Sequence, residues 1–397
     1  MIYGNKINPE RLKEARLFQK MTLEDLAIAV GINKQAISQF ENRKSSPDPM
    51  TLKRIADVLH FPYTFFFESD SAAITGNTYF RALYSSKKKD LVSQQVKAKY
   101  LARIHSILAT KVCFIEPNLP NIPTEPQISI EECAMRVRQH WELGDQPIAN
   151  MVSLLERNGI IVGEFSTDSR EIDAFYQYSE ENNQPSYCVI LGTDKHSFYR
   201  RQFNCAHELG HIILHERYDD LNEIDRDEYR RREDEANAFA AAFLLPARAF
   251  GRDVSVYPNK LSHYIQLKKK WNVSIMAMIM RAHSLGYLSP NQYSYLMRQM
   301  SMNGYRQKEP LDDTVEYKHP VAFKQAITLL LTTGNMSSGE IMNIFSSNKF
   351  SISPELVEDL LNLDPGTLSK RLICHIKALS QMVQLWCSTR RLSDENR

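Results

Sequence analysis

The feature that most constrains the fold of this chain is a pair of histidines in an apolar segment, FNCAHELGHIILHE. His207 and His211 are four residues apart, so in an α-helix both imidazoles lie on one face and can reach one metal ion. Buried imidazoles need polar partners, and a metal ion would supply one. The spacing therefore predicts a metal-binding helix. Zinc fits best, because two imidazoles, one carboxylate and an open position suit a tetrahedral ion.

Glu208 follows the first histidine directly and completes the pattern His-Glu-x-x-His. From that position its carboxylate can accept a proton from an attacking water and later pass it to the leaving amine. Glu208 is therefore the predicted general base of a hydrolytic reaction.

A third ligand is expected from the next predicted helix, EDEANAFAAAFLLP, which begins with acidic residues. Glu235 adjoins the apolar stripe of that helix and is the preferred ligand, while Glu233 stays open as the alternative. His215 lies about 12 Å along the helix from His207 at about 1.5 Å per residue, so it is interpreted as a structural or outer neighbour.

A second pattern, MTLEDLAIAVGINKQAISQFENRKSSPDP, lies near the N-terminus. Thr22 is placed to cap a first helix, Gly31 supplies a tight turn, and Asn33 can cap a second helix that runs to about Asn42. The inward positions of the two helices are apolar: Leu23, Leu26, Ala27 and Val30, then Ala36, Ile37 and Phe40. A polar helix held against its predecessor by a glycine turn is the geometry that enters the major groove of DNA.

The outward face of the second helix carries the predicted contacts to double-stranded DNA. Amides such as those of Gln35 and Gln39 can pair with base edges, whereas Lys34, Arg43 and Lys44 suit phosphates. The complete predicted set is Thr22, Asn33, Lys34, Gln35, Ser38, Gln39, Arg43 and Lys44. Two such modules would bind half-sites about one helical turn apart, which is compatible with a homodimer.

Both patterns resemble known families. The segment INKQAISQFENRKSSPDPMTLKRIADVL resembles the Xre/Cro/C1-type helix-turn-helix family. The segments FYRRQFNCAHELGHIILH and EDEANAFAAAFLLP resemble the ImmA/IrrE metallopeptidases, as do DAF, VSIMAMIMRAHSLG and the pair Glu309-Pro310. This resemblance implies a compact gluzincin-like fold, with HExxH on one helix and a glutamate ligand on the next, and a peptidase that cuts Xre-type repressors.

Several features around the predicted site stay open. Asn204-Cys205 stand where the family more often has small or hydroxyl residues, and Cys205 is expected to be a packed, neutral thiol rather than a regulatory one. No residue is singled out to stabilise an oxyanion; the candidates are His263, Tyr264 and Arg281. The predicted strand PSYCVILG (185–192) is expected to form a sheet edge on which an extended peptide substrate could pair.

The patterning predicts a multidomain, mainly α-helical chain with a small β-sheet. An N-terminal all-α helix-turn-helix domain is expected over 7–67, followed by a linker and connecting helix over 68–127. An α+β gluzincin-like metallopeptidase domain over 128–310 and a C-terminal helical region over 311–397 complete the chain. The boundary at 127 rests on four prolines in EPNLPNIPTEPQ. For the last region a structural cap is preferred, with sensing or dimerisation open.

The amino-acid composition narrows the class of protein but does not identify its function. An apolar content of 43% and a charged content of 24% are typical of soluble proteins, and a net charge of +2 is too small to indicate nucleic-acid binding by itself. The six cysteines form no CxxC pair, which favours free thiols in a reducing compartment. No signal-peptide pattern and no apolar run near the roughly 20 residues of a membrane span occur, so a cytoplasmic protein without a membrane partner is expected.

These inferences predict a regulatory zinc-dependent metalloendopeptidase that binds DNA and cuts a protein substrate such as an Xre-type repressor. The alternative is a transcriptional regulator whose peptidase-like domain senses a ligand or a metal with little or no proteolysis. Both interpretations use the same residues.

Overall fold

A computed structural model describes residues 6–69, 74–80, 88–121, 128–167, 173–181, 184–194, 197–215, 225–316 and 318–369. These residues are mainly helical, with one small sheet, as the sequence predicts. In chain order the elements are α1 (Pro9–Phe18), α2 (Leu23–Val30), α3 (Lys34–Glu41), α4 (Pro49–Leu59), a 3₁₀ helix (Tyr63–Phe67), β1 (Ile74–Phe80), α5 (Lys88–Ala109), α6 (Ile130–His140), α7 (Met151–Arg157), β2 (Ile161–Phe165), β3 (Ala174–Glu181), β4 (Gln184–Gly192), α8 (Phe198–Leu214), α9 (Arg226–Leu244), α10 (Ala247–Val254), α11 (Leu261–Trp271), α12 (Ile275–Ser284), α13 (Pro290–Met302), α14 (Ala322–Thr332), α15 (Ser338–Ser347) and α16 (Pro354–Leu360).

The chain divides into two compact units that do not follow chain order. The first unit combines α1–α4 and the 3₁₀ helix with α14–α16, and the second contains the sheet and α6–α13. The boundaries expected at 67, 127 and 310 stay predictions. Of the C-terminal helical region expected over 311–397, the part beyond Ser369 lies outside the described residues. No described helix is long and apolar enough to cross a membrane.

Local side-chain chemistry explains the start of α2 and α3. The Thr22 hydroxyl accepts from the Asp25 N–H at 3.1 Å, and the Asp25 carboxylate accepts from the Thr22 N–H at 2.8 Å, which is a capping box. Gly31 then takes the left-handed conformation, with φ +75°, that a side chain would strain. The side-chain Oδ1 of Asn33 accepts from the Ala36 N–H at 2.7 Å and caps the start of α3. The predicted helix-turn-helix geometry is therefore present.

The first unit is held together by charged groups that are shielded from water. Arg16 on α1 donates to both oxygens of Glu41 on α3 at 2.6 and 2.7 Å, and both side chains are less than a tenth exposed. Near the 3₁₀ helix, Glu68 accepts from the Ser351 N–H and hydroxyl, which ties the end of this helical module to the segment before α16. The C-terminal helices are thus packed against the N-terminal ones within the first unit.

The sheet of the second unit has the strand order β1-β3-β4-β2. β3 pairs antiparallel with both β1 and β4, while β2 pairs parallel with β4. Two sequence-based expectations change here. β1 lies where only a linker and helix were predicted, and β4 is an interior strand. The expectation that PSYCVILG offers a free edge is wrong, because β2 and β3 already occupy the two sides of that strand.

Helices α8 and α9 pack closely beside this sheet. A Cβ added at Gly210 would lie 3.1 Å from the Ala236 Cα and 3.2 Å from the Ala236 carbonyl oxygen, so only glycine allows the two helices to approach this closely. The end of α9 is fixed by two buried guanidinium groups. Arg138 donates to the carbonyl of Phe243 at 2.5 Å, and Arg281 donates to that of Leu245 at 3.1 Å. Helix α9 is therefore packed closely against α8, and its last carbonyl groups are hydrogen-bonded.

Candidate metal centre and nucleic-acid interface

Helices α8 and α9 bring three ligand-type side chains together in the second unit. The Nε2 atoms of His207 and His211 are 3.1 Å apart. The carboxylate of Glu233 lies 3.4 Å from the first nitrogen and 3.3 Å from the second. Both imidazoles are 1% exposed and Glu233 is 13% exposed, so the cluster is shielded from solvent. Among the described residues this is the group of His, Cys, Asp or Glu side chains that could hold a metal ion.

The distances within this cluster are similar to those of a zinc site. For a tetrahedral ion with bonds of about 2.0–2.1 Å, neighbouring ligand atoms are about 3.3 Å apart. The two nitrogens are 3.1 Å apart, and Glu233 approaches them with different oxygens: Oε2 lies 3.4 Å from His207 and Oε1 lies 3.3 Å from His211. Each of these distances is close to that edge. The Oε1 atom of Glu233 is buried without a well-aligned hydrogen bond, although it lies beside His211. The residues present therefore fit a tetrahedral metal ion.

The Nδ1 atom of each imidazole, on the side away from the cluster, also has a hydrogen-bonding partner. Nδ1 of His207 lies 3.0 Å from the side-chain oxygen of Asn237 on α9. Nδ1 of His211 lies 2.9 Å from Nδ1 of His215, the residue that follows the last turn of α8. Partners of this kind fix the tautomer and orientation of metal-binding histidines.

Glu235 does not join the cluster, which disagrees with the expectation that it is the third ligand. Residues two positions apart on a helix are separated by about 200° around the axis, so Glu233 and Glu235 cannot face the same point. Glu235 instead accepts from Nε2 of His215 at 3.1 Å and pairs with Arg231. Glu233 shares the face of Ala236, which contacts Gly210, and was the alternative left open by the sequence.

The ionisation of the neighbouring groups follows from burial and proximity. Burial alone would raise the pKa of Glu233, but the imidazoles of His207 and His211 outweigh it, and the pKa falls well below its usual value. Burial, followed by the adjacent His211, lowers the pKa of His215 to about 3. Glu233 is therefore an anion and His215 a neutral ring near pH 7.

The other residues named from the sequence are placed as follows. Glu208 is 1% exposed on α8, in the turn between the two histidines. Cys205 is buried, and burial raises its pKa to about 12, so its thiol is protonated. The three candidates for an oxyanion stabiliser have partners elsewhere: His263 binds the Asp253 carbonyl, Tyr264 the Pro258 carbonyl, and Arg281 the carboxylate of Glu131.

A cavity of about 790 Å³ lies in the same unit. Asn237, which contacts His207, is one of its lining residues and connects it to the metal-type cluster. Its wall combines apolar side chains, such as those of Ala238, Ala241, Met276 and Met280, with polar and charged ones. A cavity of this volume can enclose a side chain or a small ligand.

Sequence reasoning missed Asn237 and the hydrogen bond from His215 to Glu235. A signal for the first existed, because Asn237 follows Glu233 by four residues and so lies on the same face of α9. The second depends on where α8 ends, and no glycine marks that position.

The predicted DNA-binding residues lie on the surface of the helix-turn-helix. Lys34 and Gln35 on α3 are exposed, as are Arg43 and Lys44 just after it. Ser38 and Gln39, which are also on α3, are half-buried. Lys34 forms an exposed ion pair with Glu24 at 3.6 Å, a contact that water screens. Thr22 and Asn33 use their side chains as helix caps.

Comparisons with known proteins match both units. Residues 12–66 match the family described as helix-turn-helix, and residues 155–283 match the family described as IrrE N-terminal-like domain. Over 55 residues the chain is 40% identical to the uncharacterized HTH-type transcriptional regulator RghRB of Bacillus subtilis (strain 168). That match covers 14% of this chain and 40% of the relative, so the chain spans less than half of the curated protein. The chain therefore combines a segment similar to the helix-turn-helix family with a segment similar to the IrrE N-terminal-like domain.

Proposed function

We propose that this protein is a DNA-binding regulatory zinc metallopeptidase that hydrolyses a peptide bond in a protein substrate, such as an Xre-type repressor. The observation that carries the proposal is the buried cluster of His207, His211 and Glu233, in which two imidazole nitrogens 3.1 Å apart each lie 3.3–3.4 Å from an oxygen of one carboxylate. The family match over residues 155–283 supports a peptidase-like domain around it.

The three side chains provide two neutral nitrogens and one anionic oxygen, which is the donor set expected of a catalytic zinc site. A bound zinc ion would lower the pKa of water in the site to about 7 and polarise a carbonyl group. Glu233, rather than Glu235, is the proposed third ligand. Asn237 holds His207 with Nε2 turned towards the cluster.

Glu208 is the proposed general base. Its carboxylate belongs to the same helical turn as both histidines and is shielded from bulk water. In hydrolysis it would accept a proton from the attacking water and return that proton to the nitrogen of the leaving amine. The attack forms a C–O bond and the C–N bond then breaks, so atoms and protons balance.

Metal analysis of the purified protein tests the ligand set. The wild type is expected to hold about one zinc ion per chain, and Glu233→Gln is expected to lose most of it. Glu235→Gln makes the same chemical change two residues away and should retain most of the zinc, because Glu235 contacts His215 and not the cluster. Full zinc content in Glu233→Gln together with loss in Glu235→Gln would reverse the assignment, and no zinc in the wild type would refute it.

Proteolysis is tested by comparing wild-type cells with cells that carry Glu208→Gln. We expect new protein N-termini, measured by mass spectrometry of the whole proteome, to be present in the first and absent in the second. The variant should retain zinc and bind DNA, because Glu208 is neither a proposed ligand nor part of the helix-turn-helix. Identical sets of N-termini would argue against a peptidase.

DNA binding is proposed to use the exposed face of α3. Selection from random duplexes should yield a preferred sequence for the wild type. Gln35→Ala is expected to relax the preference at one position, by roughly 1–3 kcal/mol for a bidentate base contact. Lys44→Ala should weaken binding evenly for all sequences and reduce its salt dependence. A wild-type protein that selects no sequence would contradict this half of the proposal.

A second candidate function is favoured by the cavity that adjoins Asn237. A ligand bound in this space could act on His207 through Asn237 and alter the metal cluster without proteolysis. The protein would then be a transcriptional regulator with a sensing domain. Normal regulation of its target genes by Glu208→Gln would favour this function over hydrolysis.

A further inference from the structure

A chain of hydrogen-bonding groups leads from the metal-type cluster to the protein surface. Nδ1 of His211 lies 2.9 Å from Nδ1 of His215, and Nε2 of His215 lies 3.1 Å from Oε2 of Glu235. The other oxygen of Glu235 accepts from Arg231, which also donates to Glu228. Exposure rises along this chain: the side chain of His215 is 4% exposed, that of Glu235 27% and that of Arg231 58%.

The positions of the protons in this chain follow from one requirement. If Nε2 of His211 binds a metal ion, it carries no proton, so Nδ1 of the same ring must carry one. That N–H then donates to Nδ1 of His215, which must be unprotonated. The remaining proton of a neutral His215 ring is on Nε2, where it donates to the carboxylate of Glu235. Each contact in the chain therefore has a single donor and a single acceptor.

The opposite arrangement is incompatible with metal binding. If His215 carried its proton on Nδ1, His211 would have to accept there, and its own proton would be on Nε2, inside the cluster. The carboxylate of Glu235 prevents this by holding the proton of His215 on the far nitrogen. Glu235 therefore determines which nitrogen of His215 carries the proton, although it is not itself a ligand.

We propose that His215 and Glu235 are positioning residues of the metal site, which hold His211 in the tautomer and orientation that bind the ion. This inference rests on the proposed function, because it assumes that the ion is bound. The two histidine ligands then have different supports. His207 is held by a neutral amide, whereas His211 is linked through a second imidazole to an anionic carboxylate, which increases the basicity of its metal-binding nitrogen.

A matched pair of variants at residue 215 tests this role. Asn and Leu have the same branching at Cγ, but only Asn has an acceptor oxygen at the same distance from Cβ as Nδ1 of histidine. We expect His215→Leu to weaken zinc binding by about 10–100-fold in a chelator competition assay, and His215→Asn to recover most of that loss. A residue needed only for packing would give the opposite order, because leucine fills the buried space without a polar group.

Variants at residue 235 provide a second test at a partly exposed position where misfolding is not expected. Glu235→Gln keeps an oxygen that can accept from His215, so its zinc affinity should fall less than that of Glu235→Ala. The visible spectrum of the Co²⁺-loaded protein should change in His215→Leu and Glu235→Ala and stay close to the wild type in the Asn and Gln variants.

The outcomes separate the two proposals. If the wild type binds zinc and His215→Leu, confirmed as folded by circular dichroism, binds it equally well, the positioning role is refuted while the metal site stands. If Glu235→Gln loses zinc as completely as Glu233→Gln, Glu235 is a ligand and the role is also refuted. If the wild type binds no zinc, the proposed function fails and this inference fails with it.

Discussion

The contact between Gly210 and α9 allows a sharp prediction about the substitution Gly210→Ala. The new methyl group would lie 3.1 Å from the Cα and 3.2 Å from the carbonyl oxygen of Ala236, and 3.2 Å from Cδ1 of Phe239. Carbon atoms in contact prefer about 3.5–4.0 Å, and the backbone atoms of Ala236 cannot rotate away. The two helices must therefore separate by a few tenths of an ångström.

The separation acts where the proposed ligands bridge the same helices. His211 is adjacent to Gly210 on α8, and Glu233 lies three residues before Ala236 on α9. Metal–ligand distances tolerate changes of only about 0.2 Å, so we expect zinc affinity to fall at least about 10-fold. Folding should change much less. Alanine gains up to about 1 kcal/mol in helix propensity, which offsets part of the roughly 1–3 kcal/mol cost of overpacking.

The assay is a chelator competition for zinc, combined with thermal unfolding of the metal-free protein. Gly339→Ala is the matched control, because a methyl group there would meet no atom closer than the Ser337 hydroxyl at 4.0 Å. It should bind zinc like the wild type and be slightly more stable. If folded Gly210→Ala bound zinc as tightly as the wild type, the close approach of α8 and α9 would not determine the geometry of the site.

Three further predictions concern stability. Arg16→Leu leaves the buried carboxylate of Glu41 without its bidentate partner, so the free energy of unfolding of the first unit, measured in urea, should fall by roughly 3–5 kcal/mol. The double variant Arg16→Leu/Glu41→Leu should regain much of that free energy. Losses that simply add in the double variant would count against the ion pair. Arg138→Met removes the donors that bind the carbonyls of Gly144, Gln146 and Phe243, so the free energy of unfolding should fall by about 3 kcal/mol or more. A decrease of less than about 1 kcal/mol would contradict this prediction. Burial lowers the pKa of His105 to about 4, whereas the value in the unfolded chain is near 6.5. The unfolded chain therefore binds this proton first, so the free energy of unfolding decreases as the pH falls from about 6.5 towards 4. His105→Phe should remove up to about 3 kcal/mol of this decrease, and the same pH dependence in the variant and the wild type would refute the shift.

The region around the metal-type cluster illustrates how two nearby glutamates could not be separated by sequence alone. Glu233 and Glu235 both flank the apolar stripe of α9, and adjacency to the stripe favoured Glu235. The identity of the ligand depends on which side of α9 packs against α8, and the contact between Gly210 and Ala236 sets that side. A spacing of three residues between Glu233 and Ala236 is visible in the sequence, but its meaning depends on that contact.

The sheet shows the same limit for non-local pairing. The runs that form β2, β3 and β4 are recognisable because each is a short β-prone segment between turn residues. Their order is not local information, so the interior place of β4 and the addition of β1 from the expected linker appear only in the folded chain. The packing of Glu68 against Ser351 likewise joins residues that are far apart in sequence.

The sequence alone determined the two helical motifs, since both depend on residues within one or two turns. Thr22, Gly31 and Asn33 set the caps and the turn of the first motif, and the spacing of His207 and His211 places two nitrogens on one face of a helix. Only the tertiary structure decided which carboxylate meets those nitrogens and which one contacts His215 instead. The physical reason is that helix periodicity defines faces, whereas the packing of two helices selects which faces meet.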